Sequence, residues 1–292
     1  MYQGARFTCM KFPLFFCSFF ISLLSVAQFD PSKDWFTMED FFELESIQNK
    51  SIKSITIYKS DKKDDEIFSS ERKFAEYFFS TEGKVYESRK FVLLSRRIDT
   101  SVFEFHYDGL KLISRTENQG PFSFKYSYLW LNDSTFQEIK IDENTSDTNY
   151  VHRVEIQTEE ELKRKYTYYN SIGRPMKSEW VTTNFMDKVI SKKESYSRSL
   201  SFVVDSFNYK ATQLIHRLKW NTIGVHKKTL WEFTYQGGYL DFIREMEERV
   251  VVAKLAMLYD DNKLIKSIVK RDVKEKTISV YKVEYDYYST EK

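Results

Sequence analysis

Cysteine is almost absent from this chain of 292 residues, which contains only Cys9 and Cys17. Both lie within residues 1–27, a segment that has the features of an export signal and that we expect to be removed. The mature chain then contains no thiol, which excludes disulfides, thiolate metal ligands and cysteine nucleophiles. Because exported eukaryotic domains often depend on disulfides, this absence also favours a bacterial periplasmic or secreted protein.

The opening segment is too short to be a typical membrane-spanning helix. Lys11 provides a positive charge, and Phe12 to Leu24 is almost entirely apolar, whereas a bilayer-spanning run needs about 20 apolar residues. Ser25 and Ala27 are the small residues that a signal peptidase requires, so we predict cleavage after Ala27. A retained anchor is the alternative. The prediction is a Sec-type signal peptide with no transmembrane anchor after cleavage.

The mature chain lacks a net charge. The sequence has 45 Lys and Arg residues against 43 Asp and Glu residues, and the two extra cations, Arg6 and Lys11, precede the expected cut. A protein with balanced charge offers no basic footprint for nucleic acid, whose binding rests mainly on neutralising phosphates. We therefore expect no nucleic-acid partner.

Recognisable catalytic motifs are also missing. No Gly-x-Ser-x-Gly elbow, Gly-x-Gly-x-x-Gly turn or phosphate-binding loop occurs. The four histidines, His106, His152, His216 and His226, are not spaced to share one metal ion. We predict no catalytic residues, no cofactor and no metal site, and a protein that is not an enzyme. The 43 acidic residues single out no glycosidase pair, so an exported polysaccharide-acting hydrolase stays open as an alternative.

Aromatic residues are abundant, at 17% of the chain, and many recur at every second position. Phe122, Phe124, Tyr126, Tyr128 and Trp130 form the clearest run. A period of two places side chains on one face of a β-strand. The run predicts a strand with one buried face.

A degenerate repeat supports a β-rich fold. Each copy has an alternating apolar strand that ends in an aromatic residue, then a polar turn, then an apolar residue that opens the next strand. The strands end at Phe79, Tyr107, Tyr169, Tyr235 and Tyr259, and the turns contain Gly83, Gly109, Gly173, Gly237 and Gly238. Because glycine accepts the positive φ of tight turns, this plan describes a β-hairpin.

Two copies come close to the unit Tyr-Asp-x-x-Gly-x-Leu: Tyr259-Asp260-Asp261-Asn262-Lys263-Leu264 and Tyr169-Asn170-Ser171-Ile172-Gly173-Arg174. Over residues 72–287 the chain thus resembles the tyrosine-aspartate (YD) repeat of Rhs-type exported bacterial proteins. Asn262 replaces the glycine in one copy, and Asn170 replaces the aspartate in the other. The resemblance implies stacked β-hairpins that form a continuous sheet, and it carries over no catalytic residue.

The sequence predicts a mainly all-β protein in three parts. Residues 1–27 are the signal peptide, residues 28–71 hold a short helix over 38–48 and a first strand, and residues 72–292 form the hairpin-repeat body. We expect antiparallel hairpins arranged as an extended curved sheet or as two packed sheets. Residues 241–258 fit either a helical face or two strands; the repeat frame and the run of valines favour strands.

The predicted function is a non-enzymatic binding or scaffolding role in the cell envelope or outside the cell, with protein or glycan as the partner. An outer-membrane β-barrel is a further alternative, suggested by the alternating aromatic strands. Aromatic rows could stack on a sugar or a peptide, although they could equally be the buried face of the sheet. The candidate aromatic surface consists of Tyr126, Tyr128, Trp130, Trp231, Tyr235 and Tyr239.

Overall fold

The computed structural model describes residues 44–94, 97–109, 111–197, 199–224 and 226–289. A short helix precedes a long series of strands. The elements are α1 (Leu44–Asn49), β1 (Ile52–Lys63), β2 (Arg72–Phe79), β3 (Val85–Leu94), β4 (Arg97–Asp108), β5 (Lys111–Gln119), β6 (Phe122–Asn132), β7 (Thr135–Asp142), β8 (Thr148–Glu160), β9 (Lys163–Tyr169), β10 (Pro175–Thr183), β11 (Val189–Tyr196), β12 (Phe202–Lys210), β13 (Gln213–Asn221), β14 (Lys227–Gln236), β15 (Tyr239–Glu247), β16 (Val250–Tyr259), β17 (Ile265–Asp272) and β18 (Thr277–Tyr287).

The strands form one closed antiparallel β-barrel of 18 strands. Each strand pairs with the next along the chain, and the ring closes because β1 pairs with β2 on one side and with β18 on the other. The β1–β18 ladder runs from Ile52 opposite Tyr287 to Lys63 opposite Thr277. The all-β prediction is confirmed, whereas the expected extended curved sheet or pair of packed sheets is wrong. Closure gives every strand two hydrogen-bonded neighbours and leaves no exposed sheet edge.

Sequential antiparallel pairing sorts the connections between two ends of the barrel. The helix end carries α1 and the turns that leave even-numbered strands, such as residues 80–84 and 260–264. The far end carries the turns that leave odd-numbered strands, such as residues 170–174 and 273–276. At the helix end, Gln48 of α1 donates a side-chain hydrogen bond to the Glu82 carbonyl, and Lys50 donates to the Asn262 carbonyl. The helix is thereby fixed to two of the turns around it.

Side chains alternate between a buried inner face and an exposed outer face, which carries charged residues as well as apolar ones such as Leu129 and Leu258. On β1, Ile55 and Ile57 are 0% exposed. On β18, Tyr281 and Val283 are buried, while Lys282 between them is exposed. This period of two follows from the pleat of a strand. On these two strands the buried side chains therefore share one face and the exposed side chains the other.

Two apolar clusters fill the interior. The larger cluster lies on β1, β2 and β12–β18, with Ile47 of α1 packed against it. The smaller cluster lies on β6–β10 and includes Tyr126, Val154 and Val181. Buried charged side chains accompany the smaller cluster, among them Arg115 and Glu179. The inner face is thus mostly apolar on the side of the larger cluster, where Arg217 and Asp205 are also buried, and mixed on the other side.

Tyrosines join successive hairpins at the helix end. The hydroxyl of Tyr209 donates to the Val189 carbonyl at 3.1 Å. Tyr259 donates to the Leu240 carbonyl and Tyr285 to the Ile265 carbonyl, each at 2.8 Å. We call these the tyrosine latches; each reaches from an even-numbered strand to the start of the preceding odd-numbered strand. Tyrosines that end alternate strands in the sequence therefore have a structural role in the barrel wall.

Several local predictions can be compared with the structure. Gly83, Gly109, Gly173, Gly237 and Gly238 have positive φ angles in turns, as the repeat predicts. Residues 241–258 lie on β15 and β16, so the choice of strands is confirmed. The helix predicted over residues 38–48 overlaps α1, but residues 38–43 and the predicted signal peptide lie outside the described residues. Within the described part of the chain, α1 is too short to cross a membrane.

Candidate functional site

A small cleft opens at the helix end, between the β14–β15 turn and the β16–β17 turn. Its volume is about 150 Å³, and it is lined by Gln236, Tyr239, Asp241, Tyr259 and Lys263. Three polar side chains and two aromatic rings thus face one space. We refer to it as the helix-end cleft.

Tight turns bring these side chains together. Gly237 and Gly238 have φ angles of 59° and 91°, which allows the chain to reverse over two residues and to place Tyr239 at the start of β15. In the next turn, the Asp260 carboxylate accepts a hydrogen bond from the Leu264 amide at 2.8 Å. Lys263 adopts a φ of 62° in this short turn, and its side chain lines the cleft. Turn chemistry therefore sets the positions of Tyr239 and Lys263.

The two tyrosine rings form the aromatic wall. Their centroids are 5.4 Å apart with an angle of 56° between the planes. Tyr259 is held by its latch to the Leu240 carbonyl. Tyr239 is 39% exposed, and the Lys263 ammonium lies 5.5 Å from its ring centroid. One ring is therefore fixed as a wall, and the other presents its surface to solvent beside a cation.

The polar groups around these rings offer both kinds of hydrogen-bonding partner. Asp241 supplies a carboxylate acceptor, Lys263 an ammonium donor, and Gln236 an amide with both functions. An aromatic surface edged by donors and acceptors suits a ligand that has one apolar face and polar groups at its edge.

The six aromatic residues predicted from the sequence do not form one surface. Tyr126, Tyr128 and Trp231 are buried at 3%, 6% and 5% exposure, on the inner face of β6 and β14. Trp130 and Tyr235 are half-buried. Tyr239 is the exposed member, and it lines the cleft. Alternation alone cannot separate an interior row from a surface row, because both have a period of two.

Sequence reasoning missed four residues of the cleft, Gln236, Asp241, Tyr259 and Lys263. The turn motifs in the sequence could have indicated their positions. Gly237-Gly238 marks a two-residue hairpin, and the Tyr259 repeat copy ends its turn with Lys263. Predicting that two such turns lie side by side required the order of the strands, which a single sequence does not provide.

A second group of charged residues lies inside the barrel wall, on β10 and β11. Lys177 contacts Glu179 at 3.3 Å and Glu194 at 3.1 Å, and Lys192 contacts the same two carboxylates at 3.2 and 3.6 Å. Burial would raise the pKa of Glu194, but Lys177 and Lys192 together lower it below its ordinary value. We call these four residues the ion tetrad. Each charge has two opposite partners, so the group is internally neutralised.

No group of three or more His, Cys, Asp or Glu side chains suited to a metal ion is found among the described residues. His152 is the histidine closest to such an arrangement, with its Nδ1 3.8 Å from a carboxylate oxygen of Glu138. One neighbouring carboxylate does not make a coordination site.

No protein-family model matches the chain, and no curated protein matches it. Among the solved structures that resemble it in part are two proteins of low sequence identity. One is a porin-like protein from Bacteroides uniformis, at 7% identity and a TM-score of 0.37, covering 81% of this chain and 97% of that one. The other is a LolA superfamily protein from Nitrosomonas europaea, at 8% identity and a TM-score of 0.22, covering 84% and 92%. These scores are low, and the barrel fold rests on the strand pairing of the chain itself.

Proposed function

We propose that this protein is an exported, non-enzymatic binding protein of the cell envelope, and that its helix-end cleft holds one sugar ring of a glycan. The observation that carries the proposal is the exposed ring of Tyr239 beside Asp241, Gln236 and Lys263. A pyranose has an apolar C–H face that can lie on an aromatic ring, and hydroxyls at its edge that pair with carboxylate, amide and ammonium groups.

The composition of the cleft favours binding over hydrolysis. Glycoside hydrolysis normally uses two carboxyl groups on opposite sides of the scissile bond. Among the residues that line this cleft, Asp241 is the acidic one. A single carboxylate can orient a hydroxyl but cannot supply both roles, so the polysaccharide-hydrolase alternative gains no support here.

The charged residues on the outer face favour a barrel that is surrounded by water. Oppositely charged pairs lie along it on strands all around the wall. They are Glu87 with Arg89 at 2.5 Å, Arg153 with Glu155 at 3.1 Å, Glu232 with Arg244 at 3.3 Å, and Lys282 with Glu284 at 2.6 Å. A lipid-facing Arg or Lys costs about 2–4 kcal/mol at the middle of a bilayer.

An outer-membrane barrel is the second candidate, because one feature of the fold favours it. Bacterial barrels of that class are closed antiparallel meanders with an even number of strands, and this barrel has 18. The described chain also enters β1 and leaves β18 at the same end. The charged pairs on the outer face count against this candidate.

Sugar binding is tested by titrating the purified protein with monosaccharides and short oligosaccharides and following tyrosine fluorescence or amide chemical shifts. We expect a saturable response that Tyr239→Ala abolishes and Asp241→Asn weakens at least tenfold. Tyr86→Ala is the matched control, because Tyr86 is also exposed, at 44%, and lies outside the cleft. An equal loss with both tyrosine variants, or no response to any sugar, contradicts the proposal.

Extraction experiments separate the two candidates. A protein surrounded by water is released from cell envelopes by osmotic shock, high salt or alkaline carbonate. An integral barrel stays with the membrane pellet until detergent is added and migrates differently on gels before and after heating. Retention in the pellet after carbonate washing would favour the outer-membrane candidate. It would contradict the proposal that the outer face of the barrel is surrounded by water.

A further inference from the structure

The far end of the barrel carries exposed apolar side chains on almost every turn that the structure describes. Their exposure ranges from 41% at Val273 to 101% at Leu200. The set comprises Ile67, Ile98, Phe122, Ile172, Leu200, Ile223, Val250 and Val273. Each lies in, or within two residues of, a different connection between an odd-numbered strand and the next. Sequential antiparallel pairing puts all of these connections on one rim.

The helix end is different. Its described turns are mostly built from Ser, Thr, Gly, Asp, Glu and Asn. Phe185 and Met186, in the β10–β11 turn, are exposed at 91% and 51%, and within two residues of the other helix-end turns Tyr86, Leu131, Tyr239 and Leu258 are exposed at 39–54%. Single exposed apolar residues are common on soluble proteins, but a whole rim of them is not. Exposed apolar side chains are therefore more frequent at the far end, where eight of the described connections carry one, than at the helix end, where five do.

Basic residues accompany the apolar tips over half of this rim. Arg174 follows Ile172 by two positions, Arg249 precedes Val250, and Lys274 follows Val273. All three basic residues are exposed. Lys227 and Lys228 similarly follow Ile223 and are exposed. Lys227 pairs with Glu247 at 2.5 Å, and two exposed acids, Glu248 and Glu275, lie among the more numerous basic residues of these connections. We call this arc, from the β9–β10 turn to the β17–β18 turn, the basic-apolar arc.

The remaining arc of the same rim has the opposite charge. Its connections run from β1–β2 to β7–β8, and their acidic residues are Asp64, Asp65, Glu66, Glu71, Glu143 and Asp147. The net neutrality of the chain thus hides a rim that is charge-polarised. An arc of aliphatic tips beside Arg and Lys is complementary to a surface that is anionic and has an apolar layer beneath it.

We propose that the basic-apolar arc docks the barrel onto an anionic lipid bilayer. Ile172, Leu200 and Val250 enter the boundary between headgroups and acyl chains, while Arg174, Arg249 and Lys274 pair with lipid phosphates. Interfacial binding of this kind combines buried apolar area with attraction to anionic lipid. The acidic arc tilts away from the membrane, and the helix-end cleft faces away from the bilayer. The inference is independent of the sugar proposal, since the two surfaces are at opposite ends.

The test is co-sedimentation of the purified protein with vesicles. One set contains phosphatidylcholine alone, and the other contains equal parts of phosphatidylglycerol and phosphatidylcholine. We expect binding to the anionic vesicles, release by high salt, and little binding to the neutral ones. The double variant Leu200→Ser/Val250→Ser should lower the partition coefficient about tenfold, and Arg249→Glu should lower it several-fold at low salt.

Two control variants distinguish vesicle binding by the far end from nonspecific vesicle binding by exposed apolar or charged residues elsewhere. Phe185→Ser removes an apolar side chain of similar exposure from the helix end, and Lys210→Glu reverses an exposed charge there. Both should bind anionic vesicles as the wild type does. Absence of vesicle binding, equal binding to both lipid compositions, or an equal loss with Phe185→Ser overturns the proposal. Self-association that Leu200→Ser/Val250→Ser abolishes, without vesicle binding, would instead assign the rim to a second copy of the chain and also overturn it.

Discussion

The two apolar clusters inside the barrel are built on the same hairpin plan, yet they fill the interior differently. The larger cluster is mostly apolar, with Ile55, Ile57, Ile243 and Ile268 at 0% exposure. One buried ion pair, Arg217 with Asp205 at 3.0 Å, lies against its Phe207 and Trp231 rings. Around the smaller cluster, charged side chains occupy inner positions of neighbouring strands and are neutralised in pairs, as in the ion tetrad. A closed sheet can therefore bury charge on its inner face, provided that every charge has a partner there.

Tyrosines show the same contrast. Near the larger cluster, the latch tyrosines Tyr259 and Tyr285 donate to backbone carbonyls. Near the smaller cluster, Tyr169 donates to the Glu155 carboxylate at 2.8 Å, and Tyr126 donates to Glu117 at 3.2 Å. Burial, together with the Glu117 charge, raises the pKa of Tyr126 to about 12. One side of the barrel uses the backbone to satisfy its hydroxyls, and the other side uses acidic side chains.

The largest effect on stability is expected in the larger cluster. Ile57→Ala should lower the free energy of unfolding by about 4 kcal/mol, because it removes buried methyl groups and leaves a cavity that rigid strands cannot close. Urea denaturation followed by fluorescence measures this change. Thr56→Ala, at the neighbouring outward position, should cost less than about 0.5 kcal/mol. Similar losses for the two variants would contradict the assignment of inner and outer faces on β1.

The ion tetrad should be nearly as sensitive. Glu194→Gln leaves Lys177 and Lys192 with one carboxylate between them, and we expect a loss of about 3 kcal/mol. The wild-type contribution has a definite pH dependence, because the folded-state pKa of Glu194 is lowered. It is present above the unfolded-state pKa and disappears as the pH falls through the folded-state pKa.

The matched control is Glu232→Gln, which breaks the exposed pair with Arg244 and should cost at most about 0.5 kcal/mol. Both variants are compared with the wild type by urea titration at neutral and acidic pH. If the Glu194 variant were no less stable than the Glu232 variant, the tetrad would contribute nothing to folding, and the comparison between the two sides of the barrel would fail.

Much of this fold was predictable, and the limits have physical causes. Alternation predicted strands such as β6, and turn glycines predicted the hairpins, because both are local properties of the chain. A closed barrel was only an alternative to the open or packed sheets, because closure depends on β1 pairing with β18, which are separated by most of the sequence. The YD resemblance stays a prediction, although its latch gives the strand-ending tyrosine Tyr259 a structural role.

The candidate site was less predictable than the fold. Tyr239 was predicted as one of six aromatic residues, but nothing local distinguished it from buried Tyr126. Exposure depends on which face of the strand points inward and on how near the end of the barrel a residue lies. Asp241 and Lys263 come from two different hairpins, so their proximity depends on strand order rather than on spacing in the sequence.

A latch should have a smaller effect than the tetrad. Tyr285→Phe keeps the ring and removes the hydroxyl that donates to the Ile265 carbonyl, so we expect a loss of about 1 kcal/mol. Hydrogen exchange should also become faster for amides at the start of β17. Tyr287→Phe is the control, since Tyr287 is exposed at the same end of the barrel and should change neither quantity. An unchanged Tyr285 variant would show that the latches follow from the hairpin geometry without stabilising it.

The smallest expected effect is a gain in stability at Glu245, an acidic residue buried beside the larger cluster. Burial raises the pKa of this carboxyl above its ordinary value, although the Lys270 charge partly opposes the shift. A raised folded-state pKa means that folding is favoured most below the unfolded-state pKa and loses stability as the pH rises through the folded-state pKa. Glu245→Gln should therefore raise the unfolding free energy by about 0.5 kcal/mol at neutral pH, and the gain should vanish in acid. Urea titrations at several pH values measure the difference, with Glu232→Gln as the exposed control. A loss at neutral pH would mean that the Glu245–Lys270 attraction outweighs desolvation. Paired charge would then stabilise the side of the barrel that holds the larger cluster, as it does the side that holds the tetrad.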